Sequence, residues 1–83
     1  ADLDMFPEPN RGSVTVRIRL DAPQSITLRV RNALGQLVHE EERTAPEGEH
    51  SFDIRLGDVP DGVYFLETFG GLGRHVRRMT VIK

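Results

Sequence analysis

The stretch SVTVRIRLDAPQSITLRV, residues 13–30, settles the fold class. Val14, Val16, Ile18 and Leu20 alternate with Thr15, Arg17 and Arg19. After a turn at Asp21-Ala22-Pro23-Gln24 the pattern resumes, with Ile26, Leu28 and Val30 set against Thr27, Arg29 and Arg31. A strand sends successive side chains to opposite faces, so a period of two gives one apolar face and one solvated face. A helix would space its apolar residues three and four apart, and nothing in this stretch does so.

Working outward, the same pattern recurs between turn signals. Asn32-Ala33-Leu34-Gly35 is the next turn, where Gly35 supplies a positive φ. Residues 36–43 read as a third strand with a polar outer half, and residues 44–48 as a loop carrying Pro46 and Gly48. Phe52, Ile54 and Leu56 mark a fourth strand. A turn over 57–62 contains Pro60, Asp61 and Gly62. Residues 63–69 form a fifth strand, Gly70-Gly71-Leu72-Gly73 a hairpin loop, and residues 74–82 the last strand. Upstream, residues 3–6 add a short edge strand ahead of Pro7 and Pro9, which cannot donate to a central ladder. Turns every eight to twelve residues or so are the signature of an all-β fold: a small antiparallel Ig-like β-sandwich of about seven strands. Residues 1–83 then make one domain, with 1–4 as the end of an interdomain linker. The chain opens on Ala1 and not Met, so it reads as a piece of a longer protein.

Register follows from burial cost. A buried Glu67 without a partner is expensive, so Tyr64 and Leu66 belong inside, and Phe65 and Phe69 lie on the outer face beside Glu67. The same test puts Met79 and Val81 inside and Arg78 and Thr80 outside.

Composition excludes several function classes. The 83 residues carry a net charge of −2, with no Cys and no Trp. That removes disulfides and thiolate metal sites, and it lacks the basic excess of a nucleic-acid binder. No run approaches the roughly 20 apolar residues of a membrane helix. The charge is uneven, however. Glu40, Glu41 and Glu42 are acidic, while Arg74, His75, Arg77 and Arg78 are basic, and the two runs are expected to lie opposite one another. His39, His50 and His75 have no metal-ligand spacing and read as surface histidines. Ser51 follows His50, so on a strand the two face opposite ways and cannot pair as nucleophile and base. Asp58 and Asp61 fit local turn chemistry better than a Ca²⁺ site. The glycine run at 70–73 lacks the strand–loop–helix setting of a phosphate loop. No catalytic, cofactor-binding or metal residue is assigned, and the chain does not read as an enzyme.

Four segments in order carry a resemblance: MFPEPNRGSVTVRI (5–18), LRVRNALGQLVHE (28–40), DVPDGVYFLET (58–68) and RHVRRMTVIK (74–83). The series resembles the type A C-terminal sorting domain of the type IX secretion system, the Por secretion tail. Asn32, Gly35 and Val38 fit the middle motif, Pro60, Gly62 and Tyr64 the third, and Arg77, Arg78 and Lys83 the basic end. It departs in having Pro7-Glu8-Pro9-Asn10 for Pro-Asn-Pro, Val59 for Leu, and Arg where Lys is common. The resemblance implies a domain that sends secreted cargo of Bacteroidetes-type bacteria through the periplasm and across the outer membrane. The cargo is then released or held at the cell surface. Its partners would be the translocon and the outer-membrane shuttle and sortase proteins. Gly62 and Tyr64 would position the region that is recognised, and Arg77, Arg78 and Lys83 would contact the partner. Cleavage would fall in the linker before Leu3. The alternative is an Ig-like accessory domain of a secreted enzyme, binding carbohydrate on Phe65 and Phe69 or stabilising its neighbour. A homodimer through an edge strand is a further possibility.

Overall fold

Alternating side chains become two stacked sheets. The computed structural model describes residues 3–7, 9–70 and 73–83, and they form seven strands: β1 (Leu3–Phe6), β2 (Ser13–Leu20), β3 (Gln24–Asn32), β4 (Leu37–Ala45), β5 (Gly48–Arg55), β6 (Gly62–Gly70) and β7 (Gly73–Val81). One sheet runs β1-β2-β5 and the other β4-β3-β6-β7, with every strand pair antiparallel. This is the small Ig-like sandwich that the sequence pattern predicts.

The inner faces meet in one core. Val14, Val16, Ile18 and Leu20 of β2, Ile26, Leu28 and Val30 of β3, Phe52 and Ile54 of β5, Tyr64 and Leu66 of β6, and Met79 and Val81 of β7 are buried together. The register chosen for β6 and β7 therefore holds, with Tyr64, Leu66, Met79 and Val81 inside. The turn after β3 is built on Asn32, whose Oδ1 accepts the N–H groups of Leu34 and Gln36, and Gly35 has the anticipated positive φ of 85°.

Two expectations are corrected. The loop placed at residues 44–48 shrinks to Pro46 and Glu47, because β4 continues to Ala45 and β5 begins at Gly48. Backbone pairing outlasts apolar alternation here: Gln24 pairs with Ala45 and Leu20 with Gly48. The acidic and basic runs are not opposite one another. β4 and β7 lie at the two far edges of one sheet, with β3 and β6 between them. Glu40 instead pairs with Arg29, and Glu41 with His39 and Arg43. Of the predicted loop at 70–73, Gly71 and Leu72 fall outside the described residues, and Gly70 pairs with Gly73 across it.

Leu66 is fully enclosed between the sheets, whereas Leu34 at the β3–β4 turn is 84% exposed. Leu66→Ala should lower the unfolding free energy by about 2–5 kcal/mol, and Leu34→Ala should change it by no more than about 0.5 kcal/mol. Urea denaturation measures both, and equal losses would contradict this layering.

Candidate functional site

Register gathers the motif segments at one end of the sandwich. Ser13 pairs with Arg55, Asn32 with Tyr64, and Gly62 with Val81, so the segments around Asn10, Asn32, Pro60 and Lys83 share that end. Asn10 joins them. Its N–H donates to the Thr80 carbonyl at 2.9 Å, and its carbonyl accepts from the Ile82 N–H at 2.8 Å. The pair makes a one-residue parallel bridge to β7 at Val81. Asn10 Oδ1 accepts the Gly12 N–H at 2.8 Å, and the Gly12 carbonyl accepts the Leu56 N–H at 2.7 Å. Gly12 is fixed by this course. Its φ is +104°, and an added Cβ would sit 3.2 Å from the Gly57 carbonyl oxygen. Asn10 is almost wholly buried, at 2% exposure. Its role was missed from sequence, although an Asn two residues before a Gly is a recognisable side-chain turn signal.

The turn at residues 57–62 receives the chain's last residue. Lys83 Nζ donates to the Gly57 carbonyl at 3.2 Å and lies 3.5 Å from Asp58 Oδ1, while the Lys83 N–H donates to Asp61 Oδ1 at 3.1 Å. Among the described residues the two turn carboxylates thus hold a residue far along the chain, where the sequence suggested the local backbone. Inside the turn, Tyr64 Oη donates to the Pro60 carbonyl at 2.6 Å, so the ring is buried while its hydroxyl closes the corner.

The five residues singled out from sequence fall into three places. Gly62, Tyr64 and Lys83 meet at this turn. Arg78 lies next to it on the outer face, where it lines a shallow groove with Pro9, Thr80 and Ile82. Arg77 is on the opposite face, across from Leu66, and is exposed because β7 ends the sheet. Adjacent strand residues cannot share a face, so the structure separates the two arginines.

The rest of the outer face is a charged and aromatic lattice. Glu67 Oε1 accepts from Arg31 Nε at 2.7 Å, and Oε2 accepts from Arg74 Nη2 at 2.8 Å. The guanidinium carbons of Arg29 and Arg74 stand 5.1 and 5.9 Å from the Phe69 ring centroid. Two corrections follow. Glu67 is on the outer face as predicted, yet it is buried, because two arginines cover it and satisfy both its oxygens. Phe69 is half-buried beneath guanidinium groups and is not an open platform for sugar.

Hydrogen bonds from Arg74 and then Arg31 hold the Glu67 carboxyl below the usual carboxylate range, against the upward push of burial. A depressed folded value stabilises the fold above the unfolded value and loses that stability as pH falls through the folded one. Glu67→Gln should therefore cost about 1–3 kcal/mol at pH 7 and flatten the fall in stability below about pH 4.5. Urea midpoints measured from pH 7 down to pH 3 check this, and a variant whose acid profile matches the parent's would contradict it.

Among the described residues no helix is long and apolar enough to cross a membrane. A search of the curated proteins finds no match. The family model of the secretion system C-terminal sorting domain matches residues 4–83, from β1 through the pinned Lys83. The chain belongs to that family and is a C-terminal sorting signal for type IX secretion.

Proposed function

We propose that the domain sorts its cargo by protein–protein recognition, without chemistry of its own, through β7 and the end at which Asn10 holds it. The domain folds in the periplasm, and the translocon, the outer-membrane shuttle and the surface sortase then read it in turn. The cargo reaches the surface or the medium, attached or released. One observation carries this reading: among the described residues β7 ends its sheet, paired with β6 alone, and a bridge from Asn10 fixes only its last residues. A terminal strand so placed offers a partner an ordered edge at little entropic cost.

In this reading Gly62 and Tyr64 set the angle at which β7 meets the turn. Lys83 locks the chain end, and its exposed part, with Arg77 and Arg78, forms the charged contact surface. The two arginines address a partner from both faces of the strand, as a segment laid along an edge would require. The accessory-domain alternative is not favoured, since Phe69 is covered by Arg29 and Arg74.

A reporter fused ahead of residues 1–83 should reach the surface of a host that has the secretion system, and loss of residues 79–83 should trap it inside. That truncation also removes Met79 and Val81 from the core, so an Arg77→Ala/Arg78→Ala double variant is the cleaner arm. It should fold with a urea midpoint near the parent's, yet lower export about tenfold if each contact contributes some 0.5–1 kcal/mol. Cell fractionation gives the readout, and parental export of the double variant would remove these residues from the site.

A further inference from the structure

The direction of the backbone groups along β7 defines a second level of detail. Thr80 sends its carbonyl, and Ile82 its N–H, to Asn10 on the flank away from β6. In a strand both polar groups of a residue point to the same side, and the side alternates. Val76 and Arg78 therefore share that flank, and among the described residues no strand pairs with it, the Val76 carbonyl accepting only a side-chain bond from Arg77 Nη1 at 3.2 Å. This open part lies beside the groove of Pro9, Arg78, Thr80 and Ile82. Its arginines stand on both faces, Arg74 and Arg78 on one and Arg77 on the other, around one exposed valine, Val76 at 40% exposure. Arg74 is paired with Glu67, while Arg78 makes no ion pair with the described residues.

We propose that the β7 edge binds an extended acidic segment of a partner protein, added as an antiparallel fifth strand of the β4-β3-β6-β7 sheet. Charge complementarity fixes the chemistry. Opposite Arg78, Arg77 and Arg74 the segment places carboxylates, and opposite Val76 an apolar side chain. Like charges directly opposite would repel, so a basic segment is refused. The same charge prevents two β7 edges from pairing with each other. Asn10 sets the end of the site, because its bridge occupies the flank at Thr80 and Ile82 and the incoming strand must stop there.

This inference rests on β7 being the face shown to the secretion machinery, and the two fail in different experiments: the export assay tests the face, and binding in vitro tests the edge chemistry. The probe is a synthetic nine-residue peptide, Thr-Val-Glu-Glu-Val-Thr-Glu-Val-Thr, with a lysine counterpart at the three glutamates. Both are titrated into the isotopically labelled 83-residue chain at low salt and followed by amide NMR. The glutamate peptide should shift the Val76 and Arg78 amides and slow their exchange. It should bind about tenfold or more tightly than the lysine peptide, and weaken as salt screens the pairs. Val76→Pro removes an N–H that points away from β6, so it should spare the β6–β7 ladder and abolish the shifts. Arg77→Glu/Arg78→Glu, which alters only exposed side chains, should reverse the preference between the peptides. Equal binding of both peptides, shifts confined to other strands, or no shift with the glutamate peptide would each overturn the proposal. So would protection of Val76 and Arg78 that grows with protein concentration alone, which would assign the edge to the acidic β4 of a second copy.

Discussion

A strand at the border of a sheet leaves alternate peptide groups without a sheet partner, and a sandwich of two small sheets has four such borders. That constraint organises this molecule. β1 limits its border by being four residues long and giving way to Pro7. β4 carries glutamates on its border, with Glu40 turned to Arg29 and Glu41 to Arg43. β5 turns Glu49, Ser51, Asp53 and Arg55 outward. β7 is treated differently. Asn10 satisfies its last groups, and the rest of its border is left to charge.

The Asn10 bridge ties the two ends of the chain together. Asn10 reaches Thr80 and Ile82, Gly12 reaches Leu56, and Lys83 reaches Gly57, Asp58 and Asp61. Each contact is modest, about 1 kcal/mol for a typical internal hydrogen bond, but together they join the opening segment, the turn at residues 57–62 and the closing segment. On the outer face the lattice of Arg29, Phe69, Arg74, Glu67 and Arg31 ties β3, β6 and the start of β7 into one layer. Both ends of β7 are anchored, and among the described residues no strand flanks its middle residues, Val76 to Arg78, on the side away from β6.

Much of the fold was legible because the residues that decide it alternate. Val14 to Leu20 and Ile26 to Val30 fix two strands and their inner faces, and Gly35, Pro60 and Gly62 mark turns by backbone geometry alone. Strand ends at Ala45 and Gly48 were not legible, since backbone pairing sets them and leaves no trace in hydrophobic pattern. Glu67 shows a different limit. Its face was inferred correctly, but its burial depends on Arg31 and Arg74, which are 36 and 7 residues away in the chain. The partners of Glu40 to Glu42 were misjudged for a related reason: the insertion of β6 between β3 and β7 is a topological fact that local charge runs do not encode. At the candidate site, Tyr64 was read as facing inside, which the structure bears out, while the bond of its hydroxyl to the Pro60 carbonyl was not foreseen. The part played by Asn10 lay in a segment that the sequence presented only as a variant opening motif.

The central claim is that β7 is held at its end and open along its middle. Native-state hydrogen exchange, resolved by amide, tests it most directly in the 83-residue chain with nothing added. The Asn10 and Ile82 amides, bonded in the bridge, should exchange slowly and lose protection together in Asn10→Ala, while the Val76 and Arg78 amides exchange at close to unprotected rates in both proteins. Slow exchange at Val76 and Arg78, or an Ile82 amide as fast as theirs, would contradict it.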